Sequence, residues 1–126
     1  MENPDIFHFE VGHIGINCRN SGEALSAAFF LADIFGLGLS RDTPFSQYAG
    51  PFIEIVKEGG RGKHGHIAVT TSDIDAAMAY LQRRGVKLDQ ESIKRNEKGE
   101  ISVIYLKDDL AGFAIHLQRK DDGGKK

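Results

Sequence analysis

Gly12-His13-Ile14-Gly15-Ile16 near the start of the chain returns as Gly65-His66-Ile67-Ala68-Val69 in its second half. A second pair follows in the same order: Phe52-Ile53-Glu54-Ile55-Val56 is answered by Ala114-Ile115-His116-Leu117-Gln118. An internal repeat decides a fold more firmly than any local propensity, because each copy must be one structural unit that closes against the other. Both opening stretches, Val11 to Cys18 and His64 to Thr71, are short and rich in Ile and Val and end in polar turn residues, so they read as strands.

A helix is expected after each. In the second half Ser72 is a suitable N-cap with Asp75 three residues on, and Ile74, Ala77, Met78 and Leu81 recur on one face until Gly85 ends the run. In the first half Asn20 or Ser21 caps a segment carrying Leu25, Ala28, Phe29, Ala32 and Phe35, stopped by Gly36 and Gly38. This aromatic stripe is expected in the core. Extended pieces follow at Gly38 to Arg41, Phe45 to Tyr48 and Pro51 to Lys57, then at Ile101 to Lys107 and Gly112 to Arg119. The order is strand, helix, strands, twice: module one spans about 9–58, module two about 64–119, and 120–126 is a charged tail. Gly59-Gly60-Arg61-Gly62 reads as a flexible connector between them.

Composition bounds the partners. The 126 residues make about one domain, and 40% hydrophobic content is enough to close a core without disulfides. Sixteen Lys and Arg against eighteen Asp and Glu leave a charge of −2 with no basic block, so nucleic acid is not an expected partner. No apolar run reaches the 18 or so residues of a membrane span. The single cysteine, Cys18, cannot pair within the chain, Met1-Glu2-Asn3-Pro4-Asp5 lacks a secretory pattern, and a cytoplasmic location is expected.

The repeat places four polar side chains at matched positions. His13 and His66 fall in the same slot of the opening strands, Glu54 and His116 in the same slot of the closing strands, each between apolar neighbours. Imidazole and carboxylate groups are costly inside a sheet unless something satisfies them. With five His in the chain, three at positions fixed by the repeat would arise by composition with odds of roughly 10⁻⁴. Three imidazoles and a carboxylate suit Zn²⁺, Ni²⁺, Mn²⁺ or Fe²⁺, and ligand type does not choose among these divalent ions.

At these residues the chain resembles the vicinal oxygen chelate superfamily, which contains glyoxalase I, extradiol dioxygenases, methylmalonyl-CoA epimerase, fosfomycin-resistance transferases and bleomycin-binding proteins. The resemblance runs from Phe9 to Arg119 and is carried by G-H-I-A-V at 65–69, F-I-E-I-V at 52–56 and D-L-A-G-F-A-I-H-L at 109–117. The last is similar to the family's closing strand D-P-x-G-x-x-I-E-L, with Leu110 for proline and His116 for glutamate. V-G-H-I-G-I-N-C, G-K-H-G-H-I-A-V and Y-L-K-D-D-L-A-G-F-A-I-H-L further resemble the glyoxalase-like domain attached to some bacterial 2-keto-3-deoxy-6-phosphogluconate aldolases.

The resemblance implies an α+β fold of two tandem βαβββ modules whose mixed sheets curl around a cavity. It implies a divalent metal held by His13, Glu54, His66 and His116, and a homodimer. It also implies a metal-dependent lyase or isomerase acting on a small oxygen-chelating substrate, an α-keto or α-hydroxy carbonyl compound. His116 is then either the fourth ligand or, like Glu54, a candidate acid/base. Asn17, where glyoxalase I carries an arginine, argues against a glutathione-dependent glyoxalase I; Asn17, Lys63 and Tyr105 are the substrate-binding candidates. The rivals are a non-catalytic ligand-binding or resistance protein, an accessory module of keto-sugar-acid metabolism and a ring-cleaving dioxygenase.

Overall fold

The computed structural model describes residues 3–120. The tail expected over 120–126 therefore lies, beyond Lys120, outside the described residues. After a 3₁₀ turn at Pro4–Phe7, the first half runs β1 (Glu10–Asn17), α1 (Ser21–Phe29), a π-helical turn (Phe30–Ile34), β2 (Leu39–Asp42), β3 (Ser46–Ala49) and β4 (Ile53–Val56). The second half runs β5 (Gly65–Thr71), α2 (Ile74–Arg83), β6 (Leu88–Arg95), β7 (Ile101–Leu106) and β8 (Phe113–Arg119). The eight strands form one curled, open mixed sheet in the order β2-β3-β4-β1-β5-β8-β7-β6. Each opening strand runs parallel to its own closing strand, and β1 joins β5 antiparallel at the centre. The halves are thus related across the β1–β5 seam.

Strand β6 was not among the extended pieces expected from the sequence. Its residues, Leu-Asp-Gln-Glu-Ser-Ile-Lys-Arg, are polar because it is an edge strand paired only with β7. An edge is where charge is least costly in a sheet.

Both helices pack on one face of the sheet. Asp73, not Ser72, caps α2, its side chain accepting from the Ala76 amide. Ile74, Ala77 and Tyr80 then bury against Phe7, Leu88, Ile104 and Leu117. Asn20 caps α1 by accepting from the Glu23 amide, and Ala24 and Ala28 pack on Cys18 and Ile55. The aromatic stripe expected in the core is not there. Phe29, Phe30 and Phe35 are 52%, 54% and 63% exposed, and Leu25, Ile34 and Leu37 beside them are also exposed. The cause is geometric: the small residues Ala24 and Ala28 bring the helix close to the sheet. The chain then loosens into the π-helical turn, carrying the larger side chains outward.

The other face of the sheet carries the polar residues. Two neighbouring rungs cross it. One reads Tyr48–Glu54–Gly15–His66–Ala114 and the next His13–Ala68–His116–Tyr105. Pairing is regular from Gly15 opposite His66 to His13 opposite Ala68, so alternation alone puts the two rungs on one face; a β-bulge follows on the N-terminal side, where Val11 faces Val69 and Gly12 is the extra residue.

Candidate functional site

Within these rungs, bulky polar side chains alternate with small ones. Gly15 lies between Glu54 and His66, and Ala68 between His13 and His116. A Cβ at Gly15 would fall on the ring of His66, so only glycine lets that imidazole lie across β1. The result is a tight cluster. Glu54 Oε1 is 3.0 Å from His66 Nε2 and 3.4 Å from His13 Nε2, and the two imidazole nitrogens are 3.1 Å apart. The ring of His116 lies 5.5 Å and 5.7 Å from those of His66 and His13. Its Nδ1, 3.2 Å from the Leu117 carbonyl oxygen, donates there, which leaves the lone pair on Nε2.

Among the described residues, His13, His66 and His116 form one group whose donor atoms all lie within 4.8 Å of one another, so they can hold a metal ion. The spacings of the inner three donors provide a test of fit. Bonds of about 2.1 Å put neighbouring ligands about 3.0 Å apart in an octahedron and about 3.4 Å apart in a tetrahedron. The observed 3.0, 3.1 and 3.4 Å fall in that interval. Imidazole nitrogen and carboxylate oxygen are also the donors that Zn²⁺, Ni²⁺, Mn²⁺ and Fe²⁺ accept.

The electrostatics keep the carboxylate charged. Burial would raise the Glu54 carboxyl, but hydrogen bonds from His13, His66 and Ser46 outweigh it and hold the group well below the usual carboxylate range. Tyr48, also hydrogen-bonded to Glu54, is pushed up to about 12 by burial and then by the Glu54 charge, against the opposing pull of Arg41. Burial likewise raises Tyr105, opposed by Arg61 and reinforced by Glu54. Both phenols therefore remain protonated donors at neutral pH.

No family model matches the sequence, and no curated protein matches it. In three dimensions the chain is similar to the methylmalonyl-CoA epimerase of Mycobacterium tuberculosis, with a TM-score of 0.61 and 18% identity over 94% of this chain and 92% of that one. A variant of the Streptomyces coelicolor methylmalonyl-CoA epimerase, in complex with 2-nitronate-propionyl-CoA, gives 0.60 and 19% over 87% and 93%. A hypothetical protein from Bacillus halodurans gives 0.60 and 20% over 88% and 94%. The chain shares the glyoxalase-like fold of these structures. At these identities the likeness concerns the fold alone.

Within this fold the sequence candidates take different places. His13, Glu54, His66 and His116 come together, and Tyr105 stands beside His116 with ring centroids 4.8 Å apart. Asn17 spends its side-chain N–H groups on the carbonyls of Arg61 and Gly62, tying the connector to β1. That connector, expected to be flexible, is also held at its tip. The Arg61 guanidinium lies 4.3 Å from the centroid of the Tyr105 ring and 3.5 Å from Asp89. Lys63 is exposed on the same segment. Of the remaining histidines, His8 bonds the Ser72 hydroxyl and His64 stacks near Phe113, both away from the cluster.

Sequence reading passed over Tyr48, Ser46 and Arg61. The repeat held a signal for the first: Tyr48 pairs with Glu54 just as Tyr105 pairs with His116, so the two tyrosines are module equivalents. Arg61 could not be found that way, since it sits outside both repeats.

Proposed function

We propose that this protein is a glyoxalase-like, metal-dependent isomerase or lyase acting on a small α-keto or α-hydroxy carbonyl compound through adjacent oxygens. The observation that carries this reading is the convergence of His13, Glu54 and His66 at 3.0–3.4 Å on the helix-free face of the sheet. The fold shared with methylmalonyl-CoA epimerases supports an isomerase in particular. A divalent metal bound there would supply Lewis-acid stabilisation of the oxyanion that forms when a proton leaves the carbon next to the carbonyl.

The side chains divide the remaining work. His13, His66 and Glu54 are assigned as ligands, Glu54 because its Oε1 lies 3.0 and 3.4 Å from the two imidazole nitrogens. His116 is assigned the proton, since its imidazole stands beside the cluster with its ring 5.5 and 5.7 Å from those of His66 and His13. Tyr105, protonated and beside His116, serves as a donor toward substrate oxygens, while the Tyr48 hydroxyl is committed to Glu54. We further propose a homodimer, supported by the apolar surface that α1 and the π-helical turn leave uncovered.

Elemental analysis of untagged protein tests the centre. Wild type is expected to carry close to one equivalent of a transition metal, His66→Ala very little, and His116→Ala nearly the wild-type amount with no turnover. Metal lost from His116→Ala would return that residue to the ligand set. No uptake by wild type after incubation with Zn²⁺, Ni²⁺, Mn²⁺ and Fe²⁺ would sink the metal-dependent reading and favour a cavity-binding protein.

A further inference from the structure

A cavity of about 640 Å³ opens beside His13. Its walls come from both halves: Glu10, Thr70, Gln118 and Lys120 from the β1–β5–β8 side, and Ser40, Arg41, Tyr48 and Phe52 from the other. Three polar groups there are already committed. Lys120 is paired with Glu10 at 3.0 Å, the Ser40 hydroxyl donates to the Gly50 carbonyl, and the Thr70 hydroxyl donates to the Glu10 carbonyl.

Two are not. Arg41 makes no ion pair with a carboxylate among the described residues; its guanidinium stands 5.6 Å from the centroid of the Tyr48 ring, whose centroid is in turn 6.0 Å from that of His13. Gln118 is 3% exposed, faces the cavity two residues beyond His116, and its side-chain amide has no hydrogen bond among the described residues. The only buried side-chain atom without a hydrogen bond among the described residues is Asn17 Oδ1, so the Gln118 amide reaches into the cavity, where it can bond a ligand in place of water. A cation stacked on an aromatic ring and lacking a counter-ion is suited to an anionic ligand.

We infer that this cavity is an anion subsite, in which Arg41 and Gln118 hold the distal anionic group of an oxo acid whose reacting oxygens lie at the His13–Glu54–His66 cluster. The inference rests on the α-keto carbonyl reading above and narrows it to oxo acids with two anionic ends. Glu10 does not oppose it, because Lys120 neutralises that carboxylate at the cavity wall. The guanidinium fork fits either a carboxylate or a phosphate oxygen pair.

Calorimetric titration of matched pairs, differing only at the distal end, tests it, with metal-free and Zn²⁺-loaded protein in parallel. The first pair is 2-oxoglutarate against 2-oxopentanoate, which differ by a distal carboxylate in place of methyl. The second is 3-phosphohydroxypyruvate against hydroxypyruvate. Wild type is expected to prefer the member with the distal anionic group in at least one pair by about tenfold or more, the usual scale of a charge-assisted hydrogen bond. Arg41→Gln should shrink that ratio to within about twofold of unity while leaving the monoanion affinity unchanged, Arg41→Lys should restore part of it, and Gln118→Leu should lower the affinity for the member with the distal anionic group several-fold. Which pair shows the preference identifies the distal group as carboxylate or phosphate. Absence of a preference in both pairs, or a preference that survives in Arg41→Gln, would overturn the subsite. Metal uptake, read separately, reports on the metal centre alone.

Discussion

A Cβ on Gly15 would fall on the imidazole of His66, so the spacing of the cluster rests on a missing side chain as much as on the donors themselves. Gly15→Ala must push that ring off β1. The expected outcome is a loss of Zn²⁺ affinity of at least tenfold, read by competition with a chelating dye, alongside an overpacking cost of about 1–3 kcal/mol in urea unfolding. Full affinity in the alanine variant would mean that His66 is not a ligand. The lone thiol gives a second prediction at this scale. Cys18 is 6% exposed, and burial, then the Glu23 charge, raise its pKa above the ordinary thiol value. A raised pKa means less thiolate at pH 8, so alkylation of native protein should be about a hundredfold slower than in denaturant. Comparable rates would contradict the burial. His13, Glu54, His66 and His116 were all legible as one group because the repeat marks equivalent slots, whereas Arg41 and Gln118 have no motif and became visible only as the walls of one cavity.

The two helices, read from the same kind of pattern, do different work. α2 buries Ile74 completely in a cluster with Phe7, Tyr80, Ile104 and Leu117, while Leu25 on α1 is 58% exposed and the contact is made by Ala24 and Ala28. Ile74→Ala should therefore cost about 2–5 kcal/mol in urea unfolding, and Leu25→Ala within about 0.5 kcal/mol of zero. Equal costs would mean that α1 is seated differently. Helical periodicity reports which residues share a stripe but not which stripe faces the sheet, and in α1 the alanines won that place. Strand β6 was illegible for a related reason: an edge strand has little to bury, so the alternation that betrays a strand is diluted by charge. The bulge at Gly12 is likewise absent from the sequence pattern, since it exists only in the pairing of β1 with β5.

The whole molecule presents an apolar surface on its first half, where Phe29, Phe30, Ile34, Phe35 and Leu37 are all about half exposed or more. A patch of that kind exceeds what isolated surface hydrophobes require, and we expect a second copy of the chain to cover it. Phe30→Ser with Phe35→Ser should shift sedimentation velocity from dimer to monomer at micromolar concentration. The thermal midpoint should fall no more than a few degrees, because these side chains contribute little to the protomer's own core. A wild-type protein already monomeric at that concentration would refute the dimer. At this scale the sequence by itself determined the two-module architecture and the identity of the four polar residues, because a repeat imposes the same short-range pattern twice. Only the tertiary structure decided the 3.0–3.4 Å convergence of three donors, the direction in which α1 turns its aromatic residues, the pairing of each opening strand with its closing strand, and the cavity that Arg41 and Gln118 both line. Those depend on register across the β1–β5 seam and on the curl of the sheet, which bring together residues far apart in the chain and leave no mark on its local order.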